Sequence, residues 1–205
     1  MIKLLCKIPD NFYVAVSGGQ DSMVALYFLK NHKGFRGIIH CNHGTNHSDE
    51  AYNFLKKHCN SNMIRMTSYF LSAGRPKDKS IEQYWHEWRK SIFNQQKYPV
   101  ITAHHLGDAV EWWLMSSFHG QGKLIPTTSG NVIRPFLTVK KSKIQDWTER
   151  KCIKFIEDPS NYSRKHDRNL VRHDIIPLVK NVNPGIEKVI SKKYFEQTEN
   201  KTNAL

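Results

Sequence analysis

Residues 13–29 read YVAVSGGQDSMVALYFL. A short β-branched and aromatic run, Phe12 to Val16, stops at Ser17 with glycines behind it, and apolar residues return at Val24, Ala25, Tyr27 and Phe28 with a different spacing. The first run reads as a buried strand and the second as a helix from Asp21 to near Gly34, joined by a glycine turn. Such a turn lets the backbone approach a ligand and presents free N–H groups at a positive helix terminus, which is what holding phosphate requires. No Gly-Lys-Ser/Thr occurs in it, so a cradle of the kinase or GTPase kind is excluded. Asp21 places an anion where phosphate would sit, which makes chemical sense if a Mg²⁺ lies between them. Ser17, Gly18, Gly19, Gln20, Asp21 and Ser22 are therefore the nucleotide-binding candidates, with Asp21 the metal candidate. A plain strand-to-helix turn would use the same glycines without any ligand.

The unit recurs along the chain. Phe35 to His40 reads as a second strand, followed by a helix N-capped by Ser48 with Asp49 and Glu50 in its first turn and Ala51, Phe54 and Leu55 inward. Met63 to Met66 reads as a third strand. Ser80 and Gln83 fit a capping box, leading a helix with Ile81, Tyr84, Trp85, Trp88 and Ile92 toward the core. Tyr98 to Ala103 reads as a fourth strand. Alternating strands and helices imply an α/β fold with right-handed crossovers, a mostly parallel, doubly wound sheet covered on both faces, and ligands at the C-terminal strand ends. The polar clusters Ser17–Ser22, His40–His47 and His104–Glu111 end those strands and should converge. After Trp113 the texture changes to a glycine and proline rich connection with one short strand at Val132–Pro135. Helical stretches follow at Thr138–Lys154 and Asn169–Lys193, flanking the loop EDPSNYSRKHDRN. A boundary near residue 130 divides residues 1–130, the nucleotide-binding α/β part, from the mostly helical residues 131–205.

The chain carries 31 Lys and Arg against 18 Asp and Glu in 205 residues, a formal net charge of +13 that points to a polyanionic partner. Arg134 to Lys193 holds 15 basic against 7 acidic residues, a net of +8, whereas residues 1–133 hold 15 against 9, a net of +6. The C-terminal third is thus the denser basic surface. No apolar run approaches the roughly 20 residues of a membrane span, and the N-terminus lacks a secretory pattern, so a cytoplasmic protein with no membrane partner is expected. Cys6, Cys41, Cys59 and Cys152 are scattered without a Cys-x-x-Cys pair, giving neither a zinc ribbon nor a dithiol motif. The spacing of His40, Cys41, His43 and His47 fits no standard zinc site.

SGGQDS resembles the PP-loop of the ATP pyrophosphatase superfamily. Within it, HCNHGTNHSDEA (40–51), TAHHLGDAVEW (102–112), HGQGKL (119–124), IRPFL (133–137), FIEDPSN (155–161) and RNLVRHDIIPLV (168–179) are similar to the tRNA(Ile)-lysidine synthase family. The matches run in order over nearly the whole chain. The resemblance implies ATP and Mg²⁺ as cofactors and two steps. The C2 oxygen of the wobble cytidine, position 34 of a tRNA(Ile) with a CAU anticodon, is adenylated with release of pyrophosphate. Free L-lysine then displaces AMP through its ε-amine. By the same resemblance Asp21 acts through the metal, one of His104 and His105 at the end of the fourth strand is catalytic or positioning, with His104 the family match, and Asp108 and Glu111 form the acidic pair for the lysine. Arg168 and Arg172 contact the tRNA backbone or the adenylated intermediate, and His43 and Gly44 form part of the nucleotide or substrate wall.

The residues alone support these roles with alternatives. Asp108 and Glu111 share a helix face and can hold an ammonium, whose unperturbed pKa is about 10.4, and later help deprotonate it; they also suit first-turn helix charges. Arg168 and Arg172, at i and i+4, suit phosphate through their planar forks or ion pairs with Glu157, Asp158 or Asp174. The chain departs from the family pattern at Gly107, where a first acid is usual, at Ala109 and Trp112, at His86 and at His119, which puts substrate affinity or rate in question. Many family members carry extra C-terminal domains that grip the tRNA. Here that contact is expected from the basic third or a second subunit, as in a homodimer. A thiolase-type PP-loop enzyme and an inactive tRNA- or nucleotide-binding relative are the competing readings.

Overall fold

A computed structural model describes residues 2–72, 74, 76, 78–159 and 167–202. Six strands form one sheet in the order β3-β2-β1-β4-β6-β5, where β1 is Phe12–Ala15, β2 Phe35–Asn42, β3 Met66–Phe70, β4 Val100–Ile101, β5 Thr128–Ser129 and β6 Val132–Ile133. All neighbours are parallel except β5 and β6. Because the chain moves outward from β1 through β2 to β3 and then returns to the other side at β4, the strand order reverses between β1 and β4. That reversal opens a crevice at their C-terminal ends.

Helices cover both faces. α1 (Gln20–Leu29), α2 (Asn46–Ser61) and α5 (Lys141–Arg150) pack on one face, where Phe12, Val14, Met23, Leu26, Leu55, Ile144 and Ile153 share one buried cluster. On the other, Ile39, Val100 and Val132 meet Phe93 of α3 (Ile81–Asn94). A further cluster joins Leu106, Ala109, Val110 and Leu114 of α4 (Leu106–Phe118) to Ile186, Ile190 and Tyr194 of α8 (Ile186–Thr202). Cores thus span both sides of residue 130.

Several local expectations change. Thr45, not Ser48, caps α2: its hydroxyl accepts the Ser48 N–H, while the Ser48 side chain accepts the Thr45 N–H. Ser48 sits three residues inside and forms the return half of a capping box. The third strand begins at Met66, because Met63 is a left-handed turn residue (φ 53°) that is 96% exposed. Of the apolar side of α3 only Phe93 is buried, since Trp85 and Trp88 turn to His43 instead. β5, two residues of ordinary composition, carries no sequence signal of its own. The long helix expected from Asn169 is broken into α6 (Asp167–Leu170), a π-helical turn Val171–Ile175, α7 (Ile176–Val182) and α8. Pro177 has no N–H to offer the carbonyl four residues back and its ring crowds that turn, which favours local widening; Pro184 then separates α7 from α8. Ser160, Asn161 and the middle of the loop EDPSNYSRKHDRN lie outside the described residues.

Candidate active site

The crevice at the β1/β4 reversal is built first by the loop after β1. Gly18 has φ 93°, a conformation open to glycine, and a Cβ there would lie 3.2 Å from the Ile156 side chain. Its carbonyl accepts the Ile156 N–H at 3.0 Å, so the segment after α5 closes one wall of the loop. The Ser22 hydroxyl donates to the Gly19 carbonyl at 2.9 Å and accepts the Ser17 N–H at 3.2 Å, cross-linking the two ends of the turn. Gly19 caps α1 without a side-chain hydrogen bond. The first amides of α1 are therefore left for a ligand. A Cβ at Gly19 would touch nothing closer than 3.6 Å, so what the glycine keeps open is the approach to the loop.

Asp21 follows in the first turn of α1, with its side chain 35% exposed. Two basic side chains face it: Lys141, at the start of α5, bonds its Oδ1, and His105 Nε2 lies 3.7 Å from its Oδ2. Neither follows from local sequence reasoning, which favours His104. His105 is the N-cap of α4. Its Nδ1 accepts the Gly107 N–H at 2.9 Å, which leaves Nε2 as the ring donor, toward Asp21. A Cβ at Gly107 would sit 2.7 Å from His105 Cε1. The glycine at this position is thus what lets this imidazole keep its cap.

The second half of the crevice lies on α4. Asp108 and Glu111 are 9% and 1% exposed, and Asp108 Oδ2 accepts the His105 N–H at 2.9 Å. The two arginines come to these acids from 57 to 64 positions along the chain. Arg168 bonds Glu111 through Nε and Asp108 through Nη2 at 2.9 Å. Arg172 reaches Glu111 through Nε at 2.8 Å and Asp108 through Nη2 at 3.4 Å. Burial works to raise the Asp108 carboxyl, but His105, Arg168, His104 and the His105 N–H outweigh it and hold the group well below the usual carboxylate range. Burial works against the Arg168 guanidinium, and the charges of Glu111 and Asp108 more than restore it. Two acids and two arginines thus form one neutral, charge-assisted cluster. The paired guanidinia are tied to the acids as well as available at the surface: the Arg168 side chain is 46% exposed and that of Arg172 35%.

The third wall follows β2. Asn42 Oδ1 accepts the Gly44 N–H at 2.8 Å, holding the left-handed Gly44 (φ 75°) in place. His43 stacks on Trp85, with centroids 4.8 Å apart and planes at 21°, meets Trp88 edge-on at 5.3 Å, and has Nε2 3.0 Å from Arg89 Nη1. Burial, then Arg89 and His40, lower its pKa to about 4, so the ring is neutral and accepts from Arg89. His104 Nδ1 bonds the Thr102 hydroxyl at 2.9 Å. Burial, helped by Arg134, Arg168 and Arg89, outweighs Asp108 and lowers the His104 pKa to about 4 as well. Sequence reasoning names His43, Gly44, His104, Asp108, Glu111, Arg168 and Arg172 and ranks His105 behind His104; it misses Lys141, Ile156 and the aromatic partners of His43.

Among the described residues, no group of three or more His, Cys, Asp or Glu side chains could hold a metal ion by itself. A lone half-exposed carboxylate beside free helix amides still fits Mg²⁺, which takes one or two protein carboxylates and completes its shell with phosphate oxygens and water.

A parallel sheet with a phosphate-shaped glycine loop at its reversal defines a nucleotide-handling α/β protein. A family model described as the PP-loop domain matches residues 3–179, and the chain belongs to that family. It is 29% identical to a tRNA(Ile)-lysidine synthase of Thermotoga sp. (strain RQ2) over 88% of its own length and 48% of the relative's. It is 31% identical to one of Persephonella marina over 91% and 45%. The chain spans about half the length of these curated relatives. A solved U34-tRNA thiolase, NcsA from Methanococcus maripaludis with its [4Fe-4S] cluster, superposes with a TM-score of 0.75 at 18% identity, covering 95% of this chain and 74% of the thiolase; this likeness is one of fold. Among the described residues no helix is long and apolar enough to cross a membrane.

Proposed function

We propose that the chain is an ATP-dependent, tRNA-modifying ligase that converts the wobble cytidine (position 34) of a tRNA(Ile) with a CAU anticodon to lysidine, using free L-lysine in the cytoplasm. The observation that carries the reading is the junction of two unlike half-sites: the PP-loop with Asp21 and His105, and the buried Asp108–Glu111 pair on the same helix that His105 caps. Similarity to the lysidine synthases supports the substrate assignment.

In the first half-site the amides after Gly19 and the hydroxyls of Ser17 and Ser22 receive phosphate oxygens. Asp21 would hold Mg²⁺, which when bound neutralises phosphate charge during attack. The cytidine C2 oxygen bonds to the α-phosphorus and pyrophosphate departs. In the second, the buried carboxyl groups of Asp108 and Glu111 attract the ε-ammonium of lysine. One of them, or a water between them, takes its proton, and the free amine displaces AMP from C2. Arg168 and Arg172 keep the empty pair neutral and turn toward phosphate when the ammonium takes their place. His43, stacked on Trp85, supplies a neutral aromatic wall for a base.

The basic C-terminal third contacts the tRNA backbone, so affinity falls steeply with salt. Affinity that does not change between low and moderate ionic strength would contradict this role. The whole reading is tested by incubating the protein with ATP, Mg²⁺, radiolabelled lysine and tRNA(Ile) bearing CAU. Lysine in the anticodon is the expected result; pyrophosphate release with no incorporation would move the protein to another PP-loop chemistry.

A further inference from the structure

Lys141 meets Asp21 across 120 residues of chain. The side chains are 39% and 35% exposed, so the pair stands at the mouth of the PP-loop rather than in the core. An ion pair so open to water contributes little to folding, and its position asks for another explanation. The loop lacks the lysine that phosphate cradles of the Walker type carry. Arg168 and Arg172 are bound to Asp108 and Glu111. Lys141, by contrast, is bound to the carboxylate that a metal would take.

We infer that Lys141 is a catalytic residue of this site: it occupies Asp21 before nucleotide binds and transfers to the α,β-bridging oxygen and the β-phosphate oxygens beside it when Asp21 turns to Mg²⁺. The inference rests on the pyrophosphate-releasing reading of the loop. Its chemistry balances without proton transfer. The C2 oxygen gives an electron pair to the α-phosphorus, the bond from that phosphorus to the bridging oxygen breaks, and pyrophosphate leaves with the pair. The Lys141 ammonium keeps its three protons and donates hydrogen bonds to the oxygens on which negative charge accumulates. A four-carbon stem with a compact charge suits such a short displacement, and its anchoring at the first residue of α5 keeps it beside the loop. The step also gives order to binding: metal-nucleotide entry frees the cation that its own chemistry then uses.

The test compares the wild type with Lys141→Met and Lys141→Arg as intact proteins. Equilibrium binding of radiolabelled ATP with and without Mg²⁺, the Mg²⁺ concentration for half-saturation, and pyrophosphate release with tRNA(Ile) bearing CAU are measured. Lys141→Met is expected to lower pyrophosphate release by about 10²-fold and to weaken Mg²⁺-free ATP binding. It should also lower the half-saturating Mg²⁺, because Asp21 has lost its competitor. Lys141→Arg should restore about tenfold of the lost rate, which also controls for misfolding of the methionine variant. If the wild type is active and Lys141→Met releases pyrophosphate within about threefold of it, Lys141 is only a partner of Asp21 and the inference is overturned. A wild type that neither binds ATP nor releases pyrophosphate overturns the site reading itself, and this inference with it.

Discussion

The PP-loop and the acid–arginine cluster sit at the ends of adjacent strands, yet they are built in opposite ways. The loop is local: Ser17, Gly19 and Ser22 bond one another within a single turn, and its shape comes from backbone conformations that glycine makes accessible. The cluster is long-range: Asp108 and Glu111 are held by arginines 57 to 64 positions away, and the acids lie nearly dry while the loop stays open to water. In the proposed reaction, a site that must admit a large polyanion keeps its donors unpaired. One that must hold one ammonium keeps its charges paired until the ammonium arrives.

That contrast can be broken from the loop side with the largest effect. Asp21→Ala should reduce pyrophosphate release by about 10²- to 10³-fold while the thermal midpoint stays close to wild type, because the Asp21–Lys141 pair is half exposed. A lowered midpoint in a calorimetric scan would mean that Asp21 is structural. Breaking the cluster should do the reverse. Glu111→Ala leaves two guanidinia facing a buried gap, and a loss of about 2 kcal/mol in urea unfolding is expected, less than the roughly 3–5 kcal/mol of a fully buried pair because both arginines can swing toward solvent.

The pH dependence sharpens the same division. His43 and His104 are each lowered from 6.5 to about 4, mainly by burial. Between those values the unfolded chain binds protons that the folded chain refuses, so stability is full above pH 6.5, falls as pH drops from 6.5 to about 4, and loses nothing further from these rings below that. Each ring takes away up to roughly 1.4 kcal/mol for every pH step of one across that window. Asp108, also depressed, adds its own loss only below about 3.8. Unfolding midpoints at pH 7.5 and 5 should therefore differ, and His104→Gln should remove part of the difference; an unchanged slope would mean that the ring is not kept neutral. The smallest effect belongs to the junction of the two regions. Gly107→Ala pushes the His105 ring from its cap and should cost about 1 kcal/mol, read as a shifted midpoint.

The difference in construction also explains what is legible in the sequence. Strand, turn and helix at residues 12–29 can be read because period and glycine act over a few residues. The parallel sheet follows from the recurrence of that unit. Asp108, Glu111, Arg168 and Arg172 are recognisable as motifs, but their mutual pairing is not, since nothing in local spacing brings α4 to the π-helical turn. Lys141 is hidden for the same reason, and His105 is ranked behind His104: each acquires its meaning only across the crevice, facing Asp21. Trp85 and Trp88 are expected in the core on periodicity alone. Helical spacing shows that aromatic residues share a face; it does not show that His43, just past a neighbouring strand end, is what that face meets.

The central claim is that one crevice holds two separable half-sites, and Glu111→Gln tests it most directly because the amide preserves volume and one acceptor while removing the charge. Pyrophosphate release and lysine incorporation are measured on the same sample with ATP, Mg²⁺ and tRNA(Ile) bearing CAU. The expected result is pyrophosphate release within about tenfold of wild type with lysine incorporation lost. Incorporation that persists unchanged, or the two readouts falling together, would contradict it.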